Sequence, residues 1–539
     1  MIIRDTRSLA PGESPAGLVR AVRSRSVIAG AAVGLGLGLL ALGPGLKRGF
    51  LLSYDMVFVP REPFPAALPG LAPPRAVPSD LVIAAASRVL PADIVQKAVL
   101  LSIFLLACAG AVALLDREPL LARLAAGVCY GWNPYVAERL IIGQWALLLG
   151  YAGLPWVLRA VLAADLGSPR GAGRLGLAML PAVIGGFAAM AVTALIVVPA
   201  VLLAASLRRA VIGLGALAAG SLPWFIPSLV HTVYVDPASV AAFAARADTP
   251  FGSIGSLLML GGVWNAQTVP KAYGGPWSAL WLAVVIAALA GYLAFGRSRW
   301  PGLGVAAIAG LALASIGVTA AGRDLLRSLI GAWPGFAVLR DGQQFVAPLA
   351  LAVAAGLGVA VGWVMTPRAP RVRADAAGAL LGVVALLAPV LLLPGLAWGA
   401  AGRLRPAAYP PGWLAAARLI DASPARGDVL ILPWQTYRTP YWNHGEVVLD
   451  PWSRLLSRPV IWNDGTRVGD AELAPDDPRA RRLDGLIGGT GPLTAALAAA
   501  GVRFVVDDPD GPGPQVGARL PGAAVLVAQP GLTVYQLPG

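Results

Sequence analysis

The sequence predicts a mainly α-helical, polytopic membrane protein with a small α/β domain after its last membrane span. Hydrophobic residues make up 57% of the 539 residues and charged residues only 13%, a balance that water does not accommodate in a monomeric globule. Long apolar runs recur along the chain, and many approach the roughly 20 residues that a helix needs to cross a bilayer. After residue 400 the pattern changes to short strand-like runs separated by Gly, Pro and Asp.

The apolar runs predict eleven spans, with one alternative in the middle of the chain. The spans are 27–46, 98–115, 120–137, 142–163, 176–189, 191–207, 210–230, 278–296, 301–319, 345–365 and 376–399. The fifth and sixth are short, and one kinked helix is the alternative to two spans there. Arginine-rich short loops stay in the cytoplasm. The loops of this kind carry Arg117 with Arg123, Arg170 with Arg174, Arg208 with Arg209, Arg297 with Arg299, and Arg368 with Arg371 and Arg373. These loops lie on the same side of the membrane as the basic N-terminus only if the segment 176–207 crosses the membrane twice. The charge pattern therefore favours two spans there.

This topology predicts a multi-pass plasma-membrane protein with its N-terminus inside and its C-terminus outside. The predicted parts are a cytoplasmic tail (1–26), a transmembrane domain (27–399) with outer loops 47–97, 231–277 and 320–344, and an extracytoplasmic α/β domain (400–539). In the last part, the runs "DVLILPW", "VRFVVDD", "AAVLVAQ" and "LTVYQLPG" predict strands, and "GPLTAALAAAG" predicts a helix.

Charge and absent motifs narrow the function. The formal charge of +14 is spread over short connections rather than gathered on one polar module, so we predict no nucleic-acid partner. The sequence has no Walker lysine loop, no nucleophile elbow, no His cluster and no Cys-pair metal site, which argues against ATP-driven transport and soluble-type hydrolysis. Cys108 and Cys129 lie in apolar runs and are expected to be small buried hydrophobes.

Polar groups that a membrane protein retains on its outer face are the candidates for function. In "LLSYDMVFVPREPF", Asp55 lies nine residues beyond the first span, at headgroup depth; a turn or cap carboxylate is the alternative. Glu138 and Arg139 occupy the short outer turn between spans three and four, where they are either solvated or directed into a cavity.

Two further outer stretches qualify. Residues 241–277 predict an interfacial or re-entrant element, or else a plain loop that folds back on the bundle. Just before span ten, Arg340 could bind a phosphate bidentately, with Gln344 close by. The alternative is a surface pair of Arg340 and Asp341 with caps for the next helix.

This layout resembles the GT-C class of membrane glycosyltransferases, which use polyprenyl-phosphate sugars. The stretches "NPYVAERLIIGQWALLLGYAGLPW" and "LRDGQQF" resemble arabinofuranosyltransferase-type membrane proteins of actinobacteria, whose GC-rich genomes suit the high Ala, Gly, Arg and Pro content. Many members of the class carry a paired acidic motif in the first loop. Here Met56 and Val57 follow Asp55, so no cofactor is predicted with certainty and a divalent metal stays an open alternative.

The resemblance implies a role for each candidate residue. Asp55 would be the base that takes the proton of the acceptor hydroxyl. Arg340, or as second choice Arg139, would stabilise the departing phosphate, with Glu138 and Gln344 also in the donor site. The implied partners are a polyprenyl-phosphate sugar, a cell-envelope glycan or lipid acceptor, and the bilayer. A non-catalytic scaffold or lipid-linked-sugar carrier is the alternative, in which the aromatic stretch Pro433 to Trp452 stacks on sugar rings.

Overall fold

The computed structural model describes residues 15–64, 77–229, 234–366, 372–469, 471–509 and 516–538. Arg368 and Arg371, which contributed to the topology prediction, lie outside these residues, as do the first fourteen residues of the predicted tail.

Most of the described residues before residue 400 are helical. The helices are α1 (Pro15–Leu42), α2 (Ser79–Ala86), α3 (Ala92–Leu114), α4 (Leu120–Gly131), α5 (Pro134–Ile141), α6 (Trp145–Val161), α7 (Pro169–Gly185), α8 (Phe187–Leu203), α9 (Leu207–Ser228), α10 (Ser239–Ala242), α11 (Gly252–Leu258), α12 (Ser278–Gly291), α13 (Pro301–Ile316), α14 (Ala320–Ala332), α15 (Ala347–Met365) and α16 (Val372–Leu392). A further turn, α17 (Ala397–Gly402), has left-handed backbone angles from Trp398 to Ala401.

Five helical segments are long and apolar enough to cross a membrane among the residues that the structure describes. They are Ser24–Leu46, Ala92–Leu114, Leu207–Ser228, Ser278–Gly296 and Gly342–Met365, and two sharply bent pairs raise the number to seven if each pair is one span. The chain is therefore a membrane protein. The predicted count of eleven includes shorter helices, such as α6 and α8, and it stays a prediction.

One predicted span is divided in the structure, whereas two short neighbouring spans correspond to two separate helices. The run 120–137 is not one helix, because α4 ends at Gly131 and α5 begins at Pro134. Asn133 explains the break: its side chain accepts a hydrogen bond from the amide of Val136 at 3.1 Å and caps α5, and a proline follows at the first helical position. Helices α7 and α8 are separate elements that meet at Gly186.

The carboxy-terminal region contains a mixed five-stranded sheet in the order β10-β11-β9-β3-β6. The strands of the whole chain are β1 (Phe50–Leu51), β2 (Pro406–Ala407), β3 (Asp428–Leu432), β4 (Tyr437–Arg438), β5 (Val448–Leu449), β6 (Val460–Ile461), β7 (Arg467–Val468), β8 (Ala471–Glu472), β9 (Val502–Asp507), β10 (Ala524–Gln529) and β11 (Leu532–Gln536). Its helices are α18 (Pro411–Ala422), α19 (Trp452–Leu455), α20 (Pro478–Gly488) and α21 (Thr494–Ala499). The four predicted strand runs form β3, β9, β10 and β11, and the predicted helix forms α21. The domain boundary at residue 400 stays a prediction.

One apolar core joins the helical region to the sheet. Alternate residues of β3 face opposite sides: Val429 and Ile431 belong to the large core that extends into the helices, whereas Leu430 and Leu432 pack in a second core with α20 and α21. The two regions are also joined by backbone pairing, because β1 lies antiparallel to β2. The loop that follows α1 is therefore held by residues that lie some 350 positions later in the chain.

Candidate active site

Asp55 lies in a tight turn that rests on the end of α5. The amide of Met56 donates to the carbonyl of Ser53 at 2.8 Å, and the amide of Asp55 donates to the carbonyl of Ile142 at 3.0 Å. Next to that carbonyl, Gly143 has φ of +87°, and a Cβ on it would lie 2.1 Å from the Met56 nitrogen. Only glycine permits this close approach in that conformation. The turn is thus seated on a position at which no other residue fits.

The carboxy-terminal region provides the partner of the Asp55 carboxylate. The hydroxyl of Tyr437, on β4, donates to Oδ1 of Asp55 at 2.7 Å. The backbone of the preceding Tyr54 accepts from Leu449 at 2.9 Å and donates to Val447 at 2.7 Å, so the hairpin β4–β5 holds the turn from the side opposite α5. Asp55 itself is half-buried while the apolar residues after it, from Met56 to Val59, are buried. This arrangement orients the carboxylate and leaves it partly exposed.

The cation whose charge reaches Asp55 is Arg454, which follows the β4–β5 hairpin. Burial lowers the pKa of Arg454, but the charges of Asp80, Glu62 and Asp55 outweigh it and hold the pKa above its usual value. Its guanidinium donates to the carbonyl of Val57 at 2.6 Å and forms an ion pair with Asp80 at 3.4 Å. Arg454 therefore ties the first loop to the carboxy-terminal region on the side of the carboxylate.

Glu138 forms a carboxyl pair with Asp248, a residue of the segment between α9 and α12. Glu138 is 1% exposed. A Cβ on Gly261 would lie 2.9 Å from Oε1 of Glu138 and 2.6 Å from Oδ2 of Asp248, so glycine at 261 leaves room for both. Burial, followed by the charge and hydrogen bond of Asp248, raises the pKa of Glu138 well above its usual range. A protonated Glu138 is the form that can donate to Asp248.

Beside this pair lies a set of buried polar atoms without hydrogen-bond partners among the described residues. We call Glu138, Arg139, Gln144, Asp248, Asp341 and Gln343 the buried polar cluster. The Nε and Nη1 atoms of Arg139 and both polar side-chain atoms of Gln343 lack partners. Buried polar groups are nearly always satisfied, because each unmet group costs roughly 1–3 kcal/mol. Such a concentration of unmet polar atoms is a place where a polar ligand or water would be stabilised.

The other predicted donor-site residues, Arg340 and Gln344, already have hydrogen-bond partners within the chain. Arg340 donates from Nη1 to the hydroxyl of Ser239 at 3.2 Å and lies 4.9 Å from the ring centre of Phe243. The side-chain amide of Gln344 donates to the backbone carbonyl of Val338 at 2.8 Å, and the backbone carbonyl of Gln344 accepts from the hydroxyl of Tyr135. Asp341 accepts a long hydrogen bond from Gln144 at 3.5 Å. The structure thus brings Asp55, Glu138 and Arg139 to one end of α5, while Arg340 contacts α10 and the residue that follows it.

Sequence reasoning missed Tyr437, Arg454 and Asp248. The first two lie nearly 400 residues from Asp55, and no local pattern links them to it. Asp248 is in the polar run "ARADTP", which is typical of an exposed turn. Two observations favour the second interpretation of residues 241–277, a loop folded back on the bundle. Asp248 contacts Glu138, and the helix within this segment, α11, has only seven residues.

The described residues contain no group of three or more His, Cys, Asp or Glu side chains placed to hold a metal ion. The acidic side chains of the site do not form such a set either: Asp55 is paired with a tyrosine, and Glu138 with a single carboxylate. No step of the chemistry below is assigned to a metal.

Comparison with known proteins gives a clear result for the fold. No protein-family model and no curated protein matches the sequence significantly. The structure is similar to the cryo-EM structure of arabinofuranosyltransferase AftD from mycobacteria, with a TM-score of 0.62 and 18% identity over 96% of this chain and 40% of that one. Two structures of a mutant of AftD match with TM-scores of 0.61 and 0.52, at 18% and 17% identity, over 96% of this chain and 42% and 41% of theirs. This chain thus spans less than half the length of these proteins, and what it shares with them over nearly all of its own length is the GT-C fold.

Proposed function

We propose that the chain is a membrane glycosyltransferase, which transfers a sugar from a polyprenyl-phosphate donor to a cell-envelope glycan or lipid acceptor on the outer face of the membrane. The observation that carries the proposal is Asp55: a half-exposed carboxylate, oriented by Tyr437 and held between α5 and the carboxy-terminal region, in a chain with the GT-C fold.

Asp55 is the general base of the proposed reaction. It accepts the proton of the acceptor hydroxyl while the acceptor oxygen forms a bond to the anomeric carbon. The bond from that carbon to the phosphate oxygen breaks, and polyprenyl phosphate leaves with the electron pair. The hydrogen bond from Tyr437 fixes the orientation of the carboxylate, which a base needs if the proton is to move along a short path.

Arg139 is the better supported of the two cations proposed for the phosphate. Its Nε and Nη1 atoms are buried and unpartnered among the described residues, whereas Arg340 already donates to Ser239. Guanidinium N–H groups form strong, charge-assisted hydrogen bonds with phosphate oxygens. A cation placed before the reaction stabilises the charge that the leaving phosphate gains. Arg340 stays the alternative.

Sugar transfer tests the proposal. Membranes that contain the native protein, Asp55→Asn or Asp324→Asn at equal expression would be supplied with labelled polyprenyl-phosphate arabinose, mannose and other sugars. Asp324 is a surface carboxylate with 72% side-chain exposure, and it serves as the matched control. We expect transfer by the native protein and by Asp324→Asn, and none by Asp55→Asn. Retained transfer in Asp55→Asn would refute the base role, and no transfer from any donor would refute the proposed function.

A further inference from the structure

A cavity of about 270 Å³ opens at the junction of α18, the β10–β11 hairpin and the turn after β4. Three aromatic side chains, Trp413, Tyr441 and Trp442, contribute to its wall. Trp413 is buried, Trp442 is half-buried with its ring centre 5.2 Å from that of Trp413, and Tyr441 is 75% exposed at the edge. An aromatic ring so exposed, beside other rings that line a cavity, is typical of a surface that receives a ligand.

Polar groups in the same wall can recognise hydroxyl groups. Asp508 is 5% exposed, and Arg438 holds it through its Nη1 atom, which lies 2.8 Å from Oδ2. Gln529, at the end of β10, is exposed and offers both a donor and an acceptor. A carboxylate oxygen and an amide beside flat aromatic faces match a sugar ring, which presents hydroxyl groups at its edge and C–H groups on its faces.

The charge of the wall indicates a neutral ligand. No Lys, Arg or His is among its lining residues, and Asp508 is the only acidic one. Arg438 is 1% exposed and lies behind Asp508 in ion pairs with Asp508 and Asp450, so its charge is compensated. Phosphate, uronic acids and other anions would therefore be repelled. Four prolines in the lining restrict the backbone, which lowers the conformational cost of binding.

We infer that this cavity binds one or two sugar residues of a neutral glycan. Its volume is just below the range of about 300–1,000 Å³ for pockets that bind drug-sized molecules, so it is too small for a longer segment. The choice of a glycan as the ligand rests on the proposed function, because the bound sugar would belong to the acceptor of the transfer reaction.

The cavity is linked to Asp55 through one strand. Tyr437 and Arg438 are neighbours on β4, where successive side chains point to opposite sides. The Tyr437 hydroxyl contacts Asp55, whereas the Arg438 guanidinium contacts Asp508 in the wall of the cavity. Strand β4 therefore lies between the cavity and the proposed base, and its successive side chains contact the wall of the one and the carboxylate of the other.

Binding measured without any donor tests the inference separately from catalysis. The full-length protein in detergent would be titrated with short arabinan, mannan and galactan oligosaccharides, with a uronic-acid oligosaccharide and with choline, and followed by ligand-observed NMR. Tyr441→Ala removes the exposed ring without disturbing the core. Val525→Ala, at a 56% exposed position of β10 outside the lining, is the matched control.

We expect saturable binding of at least one neutral oligosaccharide, about tenfold weaker binding by Tyr441→Ala, and unchanged binding by Val525→Ala. No binding of any neutral oligosaccharide, equal binding by Tyr441→Ala, or preference for the uronic acid would overturn the inference. Tighter binding of choline would assign the cavity to a cation instead and would also overturn it. Sugar transfer without glycan binding would refute only the cavity's role, and glycan binding without transfer would refute only the proposed enzyme.

Discussion

Replacing Gly143 by alanine should disable the proposed active site while leaving the fold largely intact. The added Cβ would lie 2.1 Å from the Met56 nitrogen, and real Cβ contacts essentially never fall below 3.0 Å, so the turn that carries Asp55 and the end of α5 must move apart by at least 0.9 Å. Misplacement of a catalytic group by about 1 Å can lower the rate by about 10²-fold. The left-handed backbone adds a cost of roughly 1–2 kcal/mol to stability.

The assay is sugar transfer in membranes, with thermal unfolding of the purified protein as the second measurement. Gly501→Ala is the matched control, because Gly501 has a similar φ of +82° and nothing within 4 Å of an added Cβ. Gly501→Ala should lose the roughly 1–2 kcal/mol that a left-handed alanine costs in Gly143→Ala, but it should keep the native activity. We expect turnover of Gly143→Ala to fall about 10²-fold. Near-native turnover in Gly143→Ala, or an equal loss in Gly501→Ala, would show that the seating of the turn does not control the reaction.

Three further changes test other contacts of the site. Tyr437→Phe removes the hydrogen bond to Asp55 and should lower turnover about tenfold with the donor KM unchanged. The hydroxyl of Tyr54 donates to Gln267 instead, so Tyr54→Phe should keep the native turnover. A rise in KM alone in Tyr437→Phe would contradict the positioning role. Burial and the charge of Asp248 favour the neutral form of Glu138, so Glu138→Gln should keep the native melting temperature. Glu138→Ala should lose about 2 kcal/mol of unfolding free energy. Equal losses in the two variants would refute the neutral form of Glu138. Burial, together with the charge of Asp80, raises the pKa of Glu62 to about 8, although Arg454 opposes the shift. The native state then holds this proton more tightly than the unfolded state, so the contribution of Glu62 to stability is greatest below pH 4.5 and decreases as the pH rises towards 8. Melting temperatures should therefore fall more steeply between pH 4.5 and 8 in the native protein than in Glu62→Gln. Parallel melting curves of the two proteins would exclude the raised pKa of Glu62.

Hydrophobic pattern was sufficient to locate most of the helices, because the apolar runs that cross a bilayer are long and local. It was insufficient at residues 132 and 133, where the capping asparagine and the following proline are the signal of a helix start but stand inside an apolar run. The two-residue strands β1 and β2 were also invisible, since neither is long enough to show a period.

The candidate site was predictable only in its local parts. Asp55, Glu138 and Arg139 stand out because a charge in an apolar setting is costly. Their partners do not stand out: Tyr437 occurs in an aromatic-rich run in which every ring is an equal candidate, and its contact with Asp55 spans 382 positions. Arg340 stood out equally, yet its contacts run to Ser239 and Phe243.

The pairing of β1 with β2, and of Tyr437 with Asp55, also concerns the order in which the protein is made. The ribosome completes Asp55 early, but the strand and the hairpin that hold its turn are synthesised only after the last of the apolar helices. A nascent chain can thus insert its helices while the turn that carries Asp55 is still unsupported. Competence for transfer would then arise as a final step of biogenesis, so chains that stall during insertion would not consume the lipid-linked donor.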